Sequence, residues 1–114
     1  MAVRAYMNKR LEILEKMVKS GTGDSFAQYA LALEYRKENR TDDAIDTFRA
    51  LRVRDPNYLP MYLMAGQIHV TAARLAEARD WLTAGISLAK AKGDHKALGE
   101  LEAELSHAQS LNDG

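Results

Sequence analysis

Gln28-x-x-Leu31-Ala32-x-x-Tyr35, followed by Ala44-x-x-x-Phe48 and Pro56, is echoed further along the chain by Tyr62-x-x-Ala65-Gly66-x-x-His69 and Ala78-x-x-x-Leu82. Adding 34 to Leu31, Ala32, Tyr35, Ala44 and Phe48 lands on Ala65, Gly66, His69, Ala78 and Leu82. A fixed period implies stacked units of one kind. Stacked units usually present a surface to a partner rather than a pocket for chemistry.

Outward from this echo, the apolar spacing is helical throughout. Val3, Met7, Leu11, Leu14 and Val18 mark one face of a first helix that ends at Ser20-Gly21, where glycine supplies a left-handed cap. Thr22-Gly23-Asp24-Ser25 makes a turn and offers capping oxygens to a second helix, about Ser25 to Glu38. Asn39-Arg40 breaks it. Thr41 is expected to cap a third helix, with Asp42 and Asp43 in the first turn, and that helix stops before Asp55-Pro56. A fourth helix is expected over about Leu59 to Thr71 and a fifth over about Leu75 to Lys92. Gly93 stops the fifth, Asp94 caps the next, and a last helix covers about His95 to Ser110. No segment alternates as a strand does, so the expectation is an all-α chain of about six helices.

The small residues carry a packing argument. Ala32, Gly66, Ala44 and Ala78 are small because two helices cross closely there. Phe48 and Leu82 fill the space beneath, and Gly85 lets the next helix approach. Trp81, beside Leu82, is expected to pack under the last helix, and Met17 is expected in the core.

The pattern resembles the tetratricopeptide repeat, a 34-residue helix–turn–helix unit with a large aromatic, Leu-Gly, Tyr, Ala, Phe and Pro in order. Residues 25–58 keep Leu31, Tyr35, Ala44, Phe48 and Pro56. Residues 59–92 keep Tyr62, Gly66 and Ala78, with His69 for the tyrosine and Leu82 for the phenylalanine. The ends follow the period as well. Adding 34 to Leu11, Leu14 and Met17 gives Ile45, Phe48 and Leu51, and Leu98-Gly99 follows Ala65-Gly66 at an offset of 33. The resemblance implies a right-handed α-α superhelix of antiparallel helix pairs in a single domain, 1–114. It comprises an N-terminal packing helix (1–20), two repeats (25–58 and 59–92) and a C-terminal capping helix (94–111) whose Glu100, Glu102 and Glu104 form a polar outer face.

The resemblance also implies a site. In such arrays the first helix of each repeat lines a concave groove through repeat positions 2, 5, 9 and 12. Carried over, these are Phe26, Tyr29, Leu33 and Arg36, then Pro60, Leu63, Gln67 and Val70. The family's carboxylate clamp needs Lys and Asn at positions 5 and 9 of its first repeat. Tyr29 and Leu33 stand there instead, so capture of a C-terminal carboxylate is disfavoured. An apolar and aromatic strip suits an extended or helical peptide with two or three apolar anchors.

Composition narrows the rest. The chain has 114 residues, 28% charged and 46% apolar, with 16 basic and 16 acidic side chains, an ordinary globular balance with no general pull toward nucleic acid or anionic membrane. The charge is uneven: residues 1–40 carry net +3 and residues 93–114 net −4. With no cysteine there is no disulfide or thiolate metal site. No stretch has the length of a signal peptide's apolar run or of a membrane span, so a cytoplasmic protein is the default.

His69, His95 and His107 lack the i, i+4 pairing of a zinc helix, and His69 reads as a packing residue. No phosphate loop, nucleophile elbow or apolar carboxylate pair occurs, so no enzyme, cofactor or metal is expected. Arg49, Arg52 and Arg54 could make a local anion patch but are balanced by Asp42, Asp43, Asp46 and Asp55. The expected function is a protein-interaction adaptor holding a protein or peptide in the groove. The alternatives are self-association through the same strip, as a homodimer or within a larger assembly, and a small chaperone for a secreted protein.

Overall fold

A computed structural model describes residues 8–113 of the chain. Among the described residues there are six helices and no strand: α1 (Lys9–Lys19), α2 (Ser25–Lys37), α3 (Thr41–Arg54), α4 (Pro60–Thr71), α5 (Leu75–Lys92) and α6 (His95–Asp113). Val3 and Met7, expected on the first helix, lie outside these residues.

Local chemistry sets the helix ends. The side chains of Asn8, Asp24 and Asp94 each accept the amide three residues on, at 3.0, 2.8 and 3.0 Å, satisfying a free N–H in the first turn of α1, α2 and α6. Gly21 and Gly93 take left-handed φ values of 77° and 68° after α1 and α5, a conformation glycine adopts without steric cost. Pro60 opens α4, where its missing N–H would have had no helical partner. Thr41 is not the cap expected of it. It is the first residue of α3, and the capping position belongs to Arg40, whose side chain makes no capping bond.

The reason is a turn closed by backbone alone. Asn39 takes φ 60° and the Arg40 amide donates to the Tyr35 carbonyl at 2.9 Å. The α4–α5 turn repeats this one period on, with Ala73 at φ 60° and the Arg74 amide on the His69 carbonyl at 2.8 Å. The repeat is therefore written in backbone geometry as well as in side chains.

The chain divides into two compact units, one ending at Asp55 and one beginning at Pro56. In the first, α1 and α3 both pack on α2. Its core is Leu11, Leu14, Leu31, Ala32, Ala44, Ile45, Phe48 and Leu51, with Phe48 and Ala44 fully buried. Ser25 donates to Asp55 at 2.8 Å, tying the start of α2 to the end of α3.

In the second unit, α5 packs on both α4 and α6, and α6 also reaches α4. The small residues sit where close crossing requires them. A Cβ on Gly66 would strike Leu82, and one on Gly85 would stand 2.6 Å from Tyr62 Cβ and 2.9 Å from Leu101 Cδ2. The Tyr62 hydroxyl donates to the Pro56 carbonyl at 2.6 Å, fixing the loop before α4. Trp81 is 4% exposed. The rings against it, Tyr62 at 5.8 Å and His69 at 6.1 Å, belong to α4. Its place on α5 turns it toward the paired helix of its own repeat.

Candidate functional site

The groove residues expected from the sequence fall on two helices, four on each. Phe26, Tyr29, Leu33 and Arg36 share one face of α2, because spacings of three, four and three keep them within one helical stripe. Phe26 is 62% exposed, while Tyr29, Leu33 and Arg36 are half-buried. Tyr29 is anchored from below, its ring set edge-on to Phe48 with centroids 6.4 Å apart. On α4 the same spacing places Pro60, Leu63, Gln67 and Val70 on one face, with Pro60 exposed and the other three half-buried.

Phe26 also borders a feature that the sequence reading missed. A depression of about 620 Å³ opens between α1 and α2, lined by Arg10, Ile13, Leu14 and Met17 from the first and Phe26, Ala27 and Ala30 from the second, with Asp24 at its edge. Ile13 is 58% exposed and Met17 36%. Met17 is thus a groove residue and not the core residue expected, because no helix covers that side of α1 among the described residues. The available signal was Ile13, which is apolar yet lies off the three-and-four stripe of Leu11, Leu14 and Val18.

A polar cluster braces the first unit behind these surfaces. The Tyr35 hydroxyl donates to Glu15 Oε2 at 2.6 Å, tying α2 to α1. The Arg40 guanidinium lies 4.6 Å from the Tyr35 ring centroid and bonds Asp43 at 2.8 Å. Burial, and then the bond to the Glu15 carboxylate, push the Tyr35 phenol up to about 12. The hydrogen bond to Asp43 holds the Arg40 guanidinium above its ordinary value. Arg10 reaches Glu34 at 3.0 Å across the α1–α2 contact.

Histidine chemistry is structural at His69, which is fully buried with its Nδ1–H donating to the Ala65 carbonyl at 2.7 Å while the ring stacks on Trp81. Among the described residues no group of three or more His, Cys, Asp or Glu side chains could hold a metal ion. No helix among them is long and apolar enough to cross a membrane. Of the three arginines on α3, Arg49 lies 3.6 Å from Asp46 and Arg54 donates to Gln28 at 3.4 Å, so these two guanidinium groups already have partners.

No protein-family model matches the chain, and no curated protein does. Solved structures do. A tetratricopeptide repeat domain protein from Salinibacter ruber, solved in solution, is 32% identical over 79% of this chain and 91% of its own, with a TM-score of 0.75. A protein from Bordetella parapertussis is 25% identical, covering 90% of this chain and 89% of its own, with a TM-score of 0.77. PcrH, solved in complex with the chaperone binding region of PopD, has a TM-score of 0.84 over 97% of this chain and 84% of its own. At 14% identity that likeness is one of fold alone. The repeated motif, the turn that recurs with it and the identity to the Salinibacter domain agree: this chain belongs to the tetratricopeptide repeat family.

Proposed function

We propose that this chain is a protein-interaction module, with residues 25–58 and 59–92 as its repeats, and that the strip on α2 and the strip on α4 each offer a surface to an apolar segment of another protein. The observation that carries the reading is the α2 strip. It sets an exposed aromatic, Phe26, in line with Tyr29 and Leu33, and a half-buried cation, Arg36, closes the row. Tyr29 is held by Phe48, so this part of the surface is ordered before any ligand arrives, which lowers the cost of binding. Leu63 and Val70 offer apolar anchors of the same kind on α4. The PcrH fold, seen with a segment of PopD, supports a protein segment as the class of ligand.

The test is affinity capture from the source cell read by mass spectrometry, followed by binding measurements with the purified partner. Leu63→Glu and Tyr29→Ala should abolish capture while helix content is retained. Phe26→Ser is the cleaner control, since that ring is largely outside the core. Undiminished binding in all three variants would remove the strips from consideration.

A further inference from the structure

The period shows which helix faces have a cover in one unit and lack it in the other. In the second unit α4 covers α5: Trp81 lies against Tyr62 and His69, and the Gly85 backbone lies close beneath Tyr62. Subtracting 68 from Trp81, Leu82 and Gly85 gives Ile13, Leu14 and Met17 on α1. Where Trp81 is sealed, Ile13 and Met17 stand open, and the α1–α2 depression lies beside them. α1 is the second helix of a pair, and no first helix is packed on it among the described residues.

α6 presents the converse. Its Gly99 falls one residue short of the period from Gly66, next to the crossing position held by Ala32 and Gly66. Ala32 is fully buried, and a Cβ on Gly66 would lie 2.7 Å from Leu82 Cγ, yet a Cβ on Gly99 would meet nothing within 4 Å. Leu98 and Leu105 are only half-buried and Leu111 is 48% exposed. α6 is a first helix with its crossing site open.

The two helices also differ in the sign of their charge. α1 carries four basic and two acidic residues, net +2, and α6 carries one basic and four acidic residues, net −3. Arg10 occupies the place of Ala44 and Ala78, where a long side chain fits only against a gap, and Gly99 supplies one. Glu102, one turn beyond Gly99, is exposed and would add a second carboxylate to the Arg10 guanidinium, which already bonds Glu34.

We propose that copies of this chain associate head to tail, with α6 of one copy seated in the depression between α1 and α2 of the next, so that two half-units complete a repeat. The contact joins two different surfaces. Each added copy leaves one depression and one α6 open, and assembly grows with concentration unless the rotation closes a ring. The proposal does not rest on the α2 and α4 strips, with which it shares only Phe26.

Sedimentation velocity over a wide concentration range tests it. The wild-type chain should shift to larger species as concentration rises, and less so at high salt, which screens the α1–α6 attraction. Ile13→Glu and the double variant Gly99→Gln/Glu102→Lys change exposed positions and should each lose the shift while circular dichroism stays that of the wild type. Mixed together, the two variants should form a 1:1 pair that grows no further, because one keeps a sound α6 and the other a sound depression. Leu63→Glu should associate as the wild type does. A wild-type chain that stays monomeric at every concentration overturns the proposal and leaves the depression to a helix of other origin. Self-association with no 1:1 pair in the mixture also overturns it, in favour of a symmetric dimer.

Discussion

Asn39 and Ala73 take the same left-handed backbone conformation, each at φ 60°, in turns one period apart. Asparagine tolerates that region, whereas alanine carries a Cβ that crowds the following carbonyl. The fold thus imposes a geometry at Ala73 that its side chain opposes. Ala73→Gly should raise stability by about 1 kcal/mol, seen as a higher urea midpoint with an unchanged slope. Asn39→Gly should change it by less.

The two crossing glycines should respond unequally to one added methyl. At Gly85 the new Cβ would face Tyr62 Cβ at 2.6 Å, an atom fixed to the α4 backbone that cannot swing away. Gly85→Ala should cost about 1–3 kcal/mol through overpacking. At Gly66 the obstacle is the Leu82 side chain, which can change rotamer, and alanine improves helix propensity by up to about 1 kcal/mol. Gly66→Ala should be the milder by thermal or urea unfolding. Equal losses would contradict the difference in obstacle.

Phe48 has no exposed surface and is the largest fully buried side chain of the first unit. Phe48→Ala should cost ~3–5 kcal/mol. Because the ring of Tyr29 leans on it, the same variant should also loosen the α2 strip, a change visible in the tyrosine fluorescence of a Trp81→Phe background.

Tyr35 links stability to alkaline pH. Its folded value is raised from 10.0 to about 12, so the folded state holds the proton more tightly than the unfolded chain. The stabilisation is present in full below about pH 10 and is lost as pH rises through the folded value. Tyr35→Phe should lose about 1–2 kcal/mol at neutral pH through the missing bond to Glu15, and its deficit against the wild type should shrink above pH 10. A deficit that stays constant with pH would show that the hydroxyl matters only for packing.

The sequence foreshadowed much of this. Asp24, Asp94, Gly21 and Gly93 end or begin helices through bonds and dihedral angles confined to a few neighbours, so their roles could be read locally. Ala32, Ala44, Ala78 and Phe48 could be read because a repeat forces the same volume constraint twice. Thr41 misled, since a capping hydroxyl and a first helical residue look alike until the turn's own backbone bonds are known. The groove residues on α2 and α4 could be named only through the family resemblance.

By itself the sequence determined that the chain is helical, where most of the helix ends fall and which repeat family it resembles, because periodic volume and capping chemistry are properties of residue type and spacing. Only the tertiary structure decided which faces of those helices are covered. Trp81 and Ile13 hold equivalent positions, yet one is sealed by Tyr62 and His69 and the other lies open. Gly99 falls within one residue of the place of Gly66, yet only Gly66 has another helix's side chain against it. A pattern specifies what a position can pack against. Whether a neighbouring helix is there to do it depends on how the whole chain is arranged.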